Sequence, residues 1–321
     1  MSFRIFITRD FDQMSRVAAG IVEADIKEQQ ALKPAYVLGL ATGSSPTGLY
    51  KNLAKAFNEG RIDASRVRTF NLDEYVGLPG ANPQERCLHP ESYTYFMIRE
   101  LFCLLDCKCT ETNVPSGTLI DQDELVTALA EHPEDCEMQG TDQGKAIVIR
   151  DGAGGVLGTI KKDVLDAYER KIKSFGGIDL HVVGVGGRGH VAFHESGIPF
   201  EGNRMLLVKL DDSTVGNAVA DGHFASVEDS PRYAISMGAE LVYEAPIVVL
   251  VANGPRKTGP VAESILGDVT CDVPISYGQK YVAQGGNLNY VLDEAAAAEV
   301  LAHRAEIEAK GYEIVDVRGE A

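Results

Sequence analysis

Three short stretches of the chain combine glycines with side chains that can hold an anion or move a proton. In Thr42-Gly43-Ser44-Ser45, small residues follow an apolar run, and Pro46 then opens a helical pattern where its missing N–H costs nothing. Free backbone N–H groups and hydroxyls at the positive end of a helix suit a phosphate. The same residues also make a plain tight turn with a serine cap. The Gly-Lys pairing of a nucleotide-binding P-loop is absent. In Thr69-Phe70-Asn71-Leu72-Asp73-Glu74-Tyr75, two adjacent carboxylates stand just past a β-prone run. One of them, partly withdrawn from water, can shuttle protons with a raised pKa while the other pairs elsewhere; the alternative is an Asp helix cap. In Gly184-Val185-Gly186-Gly187-Arg188-Gly189-His190, the glycines allow backbone to approach a ligand closely, and Glu195 follows His190 by five residues. A histidine held by a carboxylate is an acid–base pair that works near neutral pH. His194 reads as structural or peripheral.

These turns need strands and helices to carry them. β-prone runs are predicted at 3–8, 35–40, 66–71, 179–185, 205–209, 246–251, 273–276 and 288–292. Helical patterns are predicted at 11–29, 46–58, 90–105, 161–175, 261–266 and 294–309. Apolar strands alternating with helices predict an α/β fold. It is a doubly wound, mostly parallel sheet with helices on both faces, Rossmann-like, in which ligands sit beyond the carboxyl ends of the strands. No repeat and no Pro/Ser-rich linker divides the chain, so residues 1–321 are expected to form one domain. The stretch from Cys109 to Gly144 has no Lys or Arg and many acids. It is followed by β-prone runs at 146–150 and 156–160 around Asp151-Gly152-Ala153-Gly154-Gly155, which predict a hairpin. Residues from about 110 to 160 are therefore expected as an insertion outside the catalytic pocket, at a contact between copies in a homo-oligomer.

A formal net charge of −17 argues against nucleic acid and anionic membrane as partners, but not against a small anion met by local donors. The start of the chain has no long apolar stretch of a signal peptide, and no later run is long enough to span a bilayer, so a cytoplasmic protein is expected. The cysteines at 103, 107 and 109 match no common zinc spacing. The six cysteines are expected as buried reduced thiols, with no metal and no disulfide.

The motifs Leu-Gly-Leu-x-Thr-Gly-Ser-Ser-Pro (38–46), Thr-Phe-Asn-Leu-Asp-Glu-Tyr-Val-Gly-Leu (69–78), His89-Pro90-Glu91-Ser92-Tyr93 and Gly-x-Gly-x-x-Gly-His-x-Ala-Phe-x-Glu (184–195) occur in this order. With Ala252-Asn253-Gly254-Pro255-Arg256-Lys257 and Pro274-Ile275-Ser276 after them, the chain resembles the glucosamine-6-phosphate deaminase/isomerase family over most of its length, outside 110–160 and a smaller stretch at 79–88. The resemblance implies a phosphate loop at Thr42, Gly43, Ser44 and Ser45, helped by Lys257. It implies Asp73 as the proton acceptor acting between C2 and C1, His190 as the ring-opening residue and Glu195 as its orienting carboxylate. The implied ligand is a small phosphorylated sugar, with no cofactor. A 6-phosphogluconolactonase-like hydrolase is the competing reading, and a sugar-phosphate sensor without turnover is a third.

Two positions depart from that resemblance. Arg188 stands where the family has Asp or Asn, and Val219 stands where it offers an Arg to the phosphate. Arg188 is expected either to supply anion-binding charge from this new position, to pair with Glu195, or to point into solvent.

Overall fold

The computed structural model describes residues 2–320, and statements of absence below concern these residues. Its strands, in chain order, are β1 (Ser2–Thr8), β2 (Tyr36–Leu40), β3 (Val67–Asn71), β4 (Asp73–Val76), β5 (Glu111–Asn113), β6 (Cys136–Gln139), β7 (Lys145–Ile149), β8 (Leu180–Val183), β9 (Met205–Lys209), β10 (Tyr233–Met237), β11 (Ile247–Ala252), β12 (Asn287–Asp293) and β13 (Glu313–Asp316). Eight of them form one sheet in the order β13-β1-β12-β11-β8-β2-β3-β5, parallel at every pairing.

The apolar run of β11 shows why this sheet is covered on both sides. Val248, Leu250 and Ala252 join one buried cluster with Val261, Ile265 and Tyr277 of the following helices. Val249 and Val251 point the other way, into a cluster with Met14, Val22, Leu49 and Leu53 from the helices Phe11–Leu32 and Thr47–Asn58. A strand buried on both faces cannot alternate polar and apolar residues, so it reads as a continuous run. The predicted doubly wound sheet is thus observed. From β2 the chain goes on to β3 and β5 on one side, and from β8 to β11 and β12 on the other. The neighbours β2 and β8 therefore flank the topological switch point, the place where such sheets bind ligands.

A second sheet, with the order β4-β10-β9-β7-β6, is antiparallel throughout and was not expected. The chain passes from β3 to β4 through Leu72 alone. Its N–H donates to Leu40 O (3.1 Å) and its carbonyl accepts from Met237 N (2.8 Å), so one residue is bonded to both sheets. The hairpin exists but lies earlier than predicted: β6 pairs with β7 through the turn 140–144. Residues 156–160 are not its second strand. Gly155–Thr159 is helical and runs into a π-helical stretch, Ile160–Leu165, because Leu157, Ile160 and Val164 recur at helical spacing and bury one face on the second sheet. Residues 273–276 are a 3₁₀ turn instead of a strand, with Ser276 Oγ accepting from Thr270 N. The predicted helix 294–309 is two short ones, Ala298–Ala302 and Arg304–Ala309. No cysteine is fully buried, contrary to expectation: Cys103 and Cys107 are exposed and the other four half-buried, all as free thiols. No helix is long and apolar enough to cross a membrane.

Candidate active site

The loops after β2 and β8 open onto a cavity of about 260 Å³. Thr42, Gly43, Ser44 and Ser45 line it from the first loop, and Gly184 to Gly187 and His190 from the second. Lys257 reaches it from the loop after β11, and Asp73 from the crossing between sheets.

The first loop has the build expected of an anion site. Gly43 has φ +99°, a left-handed conformation in which a side chain would be strained. The helix Thr47–Asn58 starts at Pro46, and no side chain caps it, so the serine cap weighed as an alternative is not formed. Thr47 Oγ1 turns back to Ser44 O (2.9 Å) and Ser45 Oγ donates to Asn253 Oδ1 (2.7 Å), which ties the loop to the one carrying Lys257. Lys257 Nζ donates to Val185 O at 2.6 Å. Burial, then the neighbouring Arg256, holds the Lys257 ammonium below its ordinary pKa, a cation short of partners in a dry place.

Asp73 is buried at the start of β4, and its Oδ1 has no hydrogen-bond partner. Burial raises its pKa well above the ordinary value, and the adjacent Glu74 raises it further. Glu74 has the opposite surroundings. It accepts hydrogen bonds from the N–H groups of Tyr75, Tyr93 and Thr94 and from the Thr94 hydroxyl, at 2.9–3.1 Å, at the start of the helix Tyr93–Glu100. Burial pushes its carboxyl up to about 7 against those donors, which favour the ionised form. Of two neighbouring acids, one is locked by the backbone and the other keeps an oxygen without a partner. The ring cluster of Tyr75, Tyr93 and Phe193, with Tyr93 and Phe193 stacked at 5.8 Å, walls this side of the cavity.

His190 and Glu195 also meet: Nδ1 lies 3.2 Å from Oε2 of the buried Glu195. A carboxylate only accepts, so Nδ1 carries the proton and Nε2 is a free acceptor on a ring that lines the cavity. The ring lies flat on Gly186, where a Cβ would come within 1.9 Å of Nε2. Ala192, at φ 50°, is the one non-glycine residue in the left-handed region among the described residues, and it turns the chain between His190 and Phe193. His194 is structural as expected: its Nε2 faces Ile198 O and its Nδ1 accepts from Ala239 N.

Of the placements weighed for Arg188, neither contact with the cavity nor pairing with Glu195 is seen. Arg188 does not line the cavity; its guanidinium pairs with Asp142 (2.5 Å) and approaches Asp211 (3.6 Å), and it leaves Glu195 to His190. Val219 lies off the cavity, packed against an aromatic cluster of the second sheet, while Thr214, Asn217 and Ala218 of the same helix line it. Residues 110–160 contribute nothing to the lining, as expected, although their turn reaches Arg188. Tyr93, Asp221, His223 and Arg256 also line the cavity and were not singled out; Tyr93 and Arg256 stand inside two of the quoted motifs, while Asp221 and His223 lie in none. No group of three His, Cys, Asp or Glu side chains is placed to hold a metal ion.

A glycine-hydroxyl loop at a helix start, a buried carboxyl and a carboxylate-held histidine around one switch-point cavity give this doubly wound α/β fold the groups that acid–base chemistry beside an anion needs. No protein-family model matches the chain. The glucosamine-6-phosphate deaminase of Thermoanaerobacter sp. (strain X514) is 33% identical over 295 residues, spanning 92% of this chain and 94% of that protein. The one from Clostridioides difficile (strain 630) is 33% identical over 298 residues, spanning 92% and 96%. Among solved structures, a monomeric glucosamine-6-phosphate deaminase superposes with a TM-score of 0.69 at 24% identity, over 92% of this chain and 99% of that one. The 6-phosphogluconolactonase from Plasmodium vivax superposes with a TM-score of 0.59 at 15% identity, over 94% of each chain. Both share the fold. The chain belongs to the glucosamine-6-phosphate deaminase family.

Proposed function

We propose that the chain converts glucosamine 6-phosphate, or a closely related hexosamine phosphate, and water into a ketose 6-phosphate and ammonium. The observation that carries this reading is the unpartnered carboxyl of Asp73 facing the same cavity as the His190–Glu195 pair and the Thr42–Lys257 cradle. The phosphate is held by the 42–45 loop at the start of the helix Thr47–Asn58, with Lys257 as counter-charge.

His190 Nε2 takes the proton of the anomeric hydroxyl and passes it to the ring oxygen, which breaks the C1–O5 bond and frees the aldehyde; Glu195 stabilises the imidazolium in between. Asp73, as carboxylate, removes the proton from C2, and the electron pair moves into a C1–C2 double bond. The same group returns that proton to C1, and O1 takes up the proton that the amino nitrogen gives up, leaving an imine at C2. Water adds to C2, the C–N bond breaks and ammonia leaves as ammonium. C1 is reduced as C2 is oxidised, so the sum needs no external redox partner and no cofactor. A dry wall of Tyr75, Tyr93 and Phe193 beside Asp73 keeps its basicity above that of an exposed aspartate, which suits abstraction from carbon.

The test is direct: incubate the purified protein with glucosamine 6-phosphate and follow ammonium and fructose 6-phosphate together. Equimolar release supports the proposal. Tight binding without ammonium makes the protein a sensor, and hydrolysis of 6-phosphogluconolactone in its place makes it a lactonase.

A further inference from the structure

Arg188 stands two residues before His190, at half exposure, and its charge is turned away from the cavity. What it faces is the turn 140–144 between β6 and β7. Three contacts join that turn to the carboxylate behind His190. Asp142 Oδ2 pairs with the guanidinium at 2.5 Å. Gly144 N donates to Asp211 Oδ2 at 3.3 Å, and Asp211 N in turn donates to Glu195 Oε1 at 3.3 Å. Gly144 itself lies so close that a Cβ there would come within 2.7 Å of Glu195 Cβ. The guanidinium also reaches Asp211 at 3.6 Å, so it bridges the turn and the residue that holds Glu195. Beyond Glu195 comes His190.

We propose that the Arg188–Asp142 pair is a clamp that presses the β6–β7 turn onto Asp211 and Glu195, which makes Arg188 a positioning residue for the His190–Glu195 pair. The proposal rests on the roles given above to His190 and Glu195. An exposed ion pair is worth little by itself; its use here lies in what it immobilises, since small displacements of a catalytic group cost rate steeply. Asp142 explains how an arginine is accommodated at a position where the motif resemblance leads one to expect an acid: the acid arrives from another segment.

The experiment compares Arg188→Ala, Arg188→Lys, Asp142→Asn, the double variant R188A/D142N and the exchanged pair R188D/D142R. Turnover is followed by ammonium release, and amide hydrogen exchange is followed at Gly144 and Asp211. The clamp predicts that R188A and D142N each lower kcat about 10- to 100-fold with KM changed less than about threefold. It predicts that the double variant is no worse than the poorer single one, and that R188K and the exchanged pair recover most of the loss. Unchanged kcat in both single variants, or losses that multiply without rescue, would overturn it. Exchange at Gly144 and Asp211 is expected to accelerate in R188A, a readout that needs no turnover. If the wild type fails to deaminate the sugar but this acceleration is seen, the reaction assignment falls and the clamp stands; unaltered exchange sinks the clamp whatever the reaction.

Discussion

Replacing Asp73 by Asn should abolish turnover and yet make the protein more stable at neutral pH. The carboxyl is buried beside the ring cluster, one oxygen has no partner, and Glu74 is its immediate neighbour. Each of these penalises the ionised form that the reaction uses. Because the folded pKa lies above the unfolded value of 3.8, the unfolded chain releases this proton first as pH rises. The stability tied to this group is complete below that value and is lost as pH climbs towards the folded pKa, at about 1.4 kcal/mol for each pH unit inside the window. Asn carries no such charge. At pH 8 the variant should therefore melt higher than the wild type, and the gap should close as both are taken to pH 4. Catalysis moves the other way. Loss of a positioned base costs about 10²–10⁴-fold, or about 3–5 kcal/mol of transition-state stabilisation, while KM is largely kept because the phosphate end is untouched. Steady-state ammonium release gives kcat and KM, and thermal melts at pH 4 and 8 give the stability difference. Undiminished kcat refutes the assignment of Asp73; full inactivation with a melt lowered at pH 8 refutes the account of its burial.

Lys257→Ala should raise KM for the phosphorylated sugar about 10- to 100-fold with little change in kcat, from loss of one charge-assisted contact; an unchanged KM places the phosphate elsewhere. Gly186→Ala should leave the melt nearly intact but remove most of the activity, because the new Cβ would sit 1.9 Å from His190 Nε2 and force the ring off its bed. Gly39→Ala should do the reverse of that: its Cβ would lie 1.6 Å from the ring of the buried His181, so chemical denaturation should show a loss of a few kcal/mol.

The parallel sheet and two of its loops were legible because the apolar runs are buried on both faces, and two of them end in glycine-rich turns, one with hydroxyls at 42–45 and one leading to His190. Asp73 could be picked out next to Glu74 only as one of a pair; nothing in Asp-Glu says which acid the helix Tyr93–Glu100 will hold, since that helix starts some twenty residues later. The second sheet escaped notice for a related reason. Its strands β7 and β9 fall on predicted runs, but β4, β6 and β10 do not, and β4 follows β3 after one residue, at a place read as the turn past a strand end. Residues 156–160 have the composition of a strand, and only their packing on β7, β9 and β10 makes them helical. The partner of Arg188 was hidden among many acids, because proximity across a hairpin turn leaves no mark in local sequence.

The single-residue passage at Leu72 decides how the cavity is divided. The loops 42–45 and 184–190 hang from the parallel sheet, whereas Asp73, Tyr75 and Phe193 stand on or beside the antiparallel one, with the helix Asp212–Ala220 following β9. The cavity thus has one half hung from the parallel sheet and one half from the antiparallel sheet, joined through Leu72. Strands such as β6 and β7 can be appended to the outer edge of the second sheet without disturbing the first. Either half can be remodelled with the other left in place, provided the residue at the seam keeps its hydrogen bonds to both.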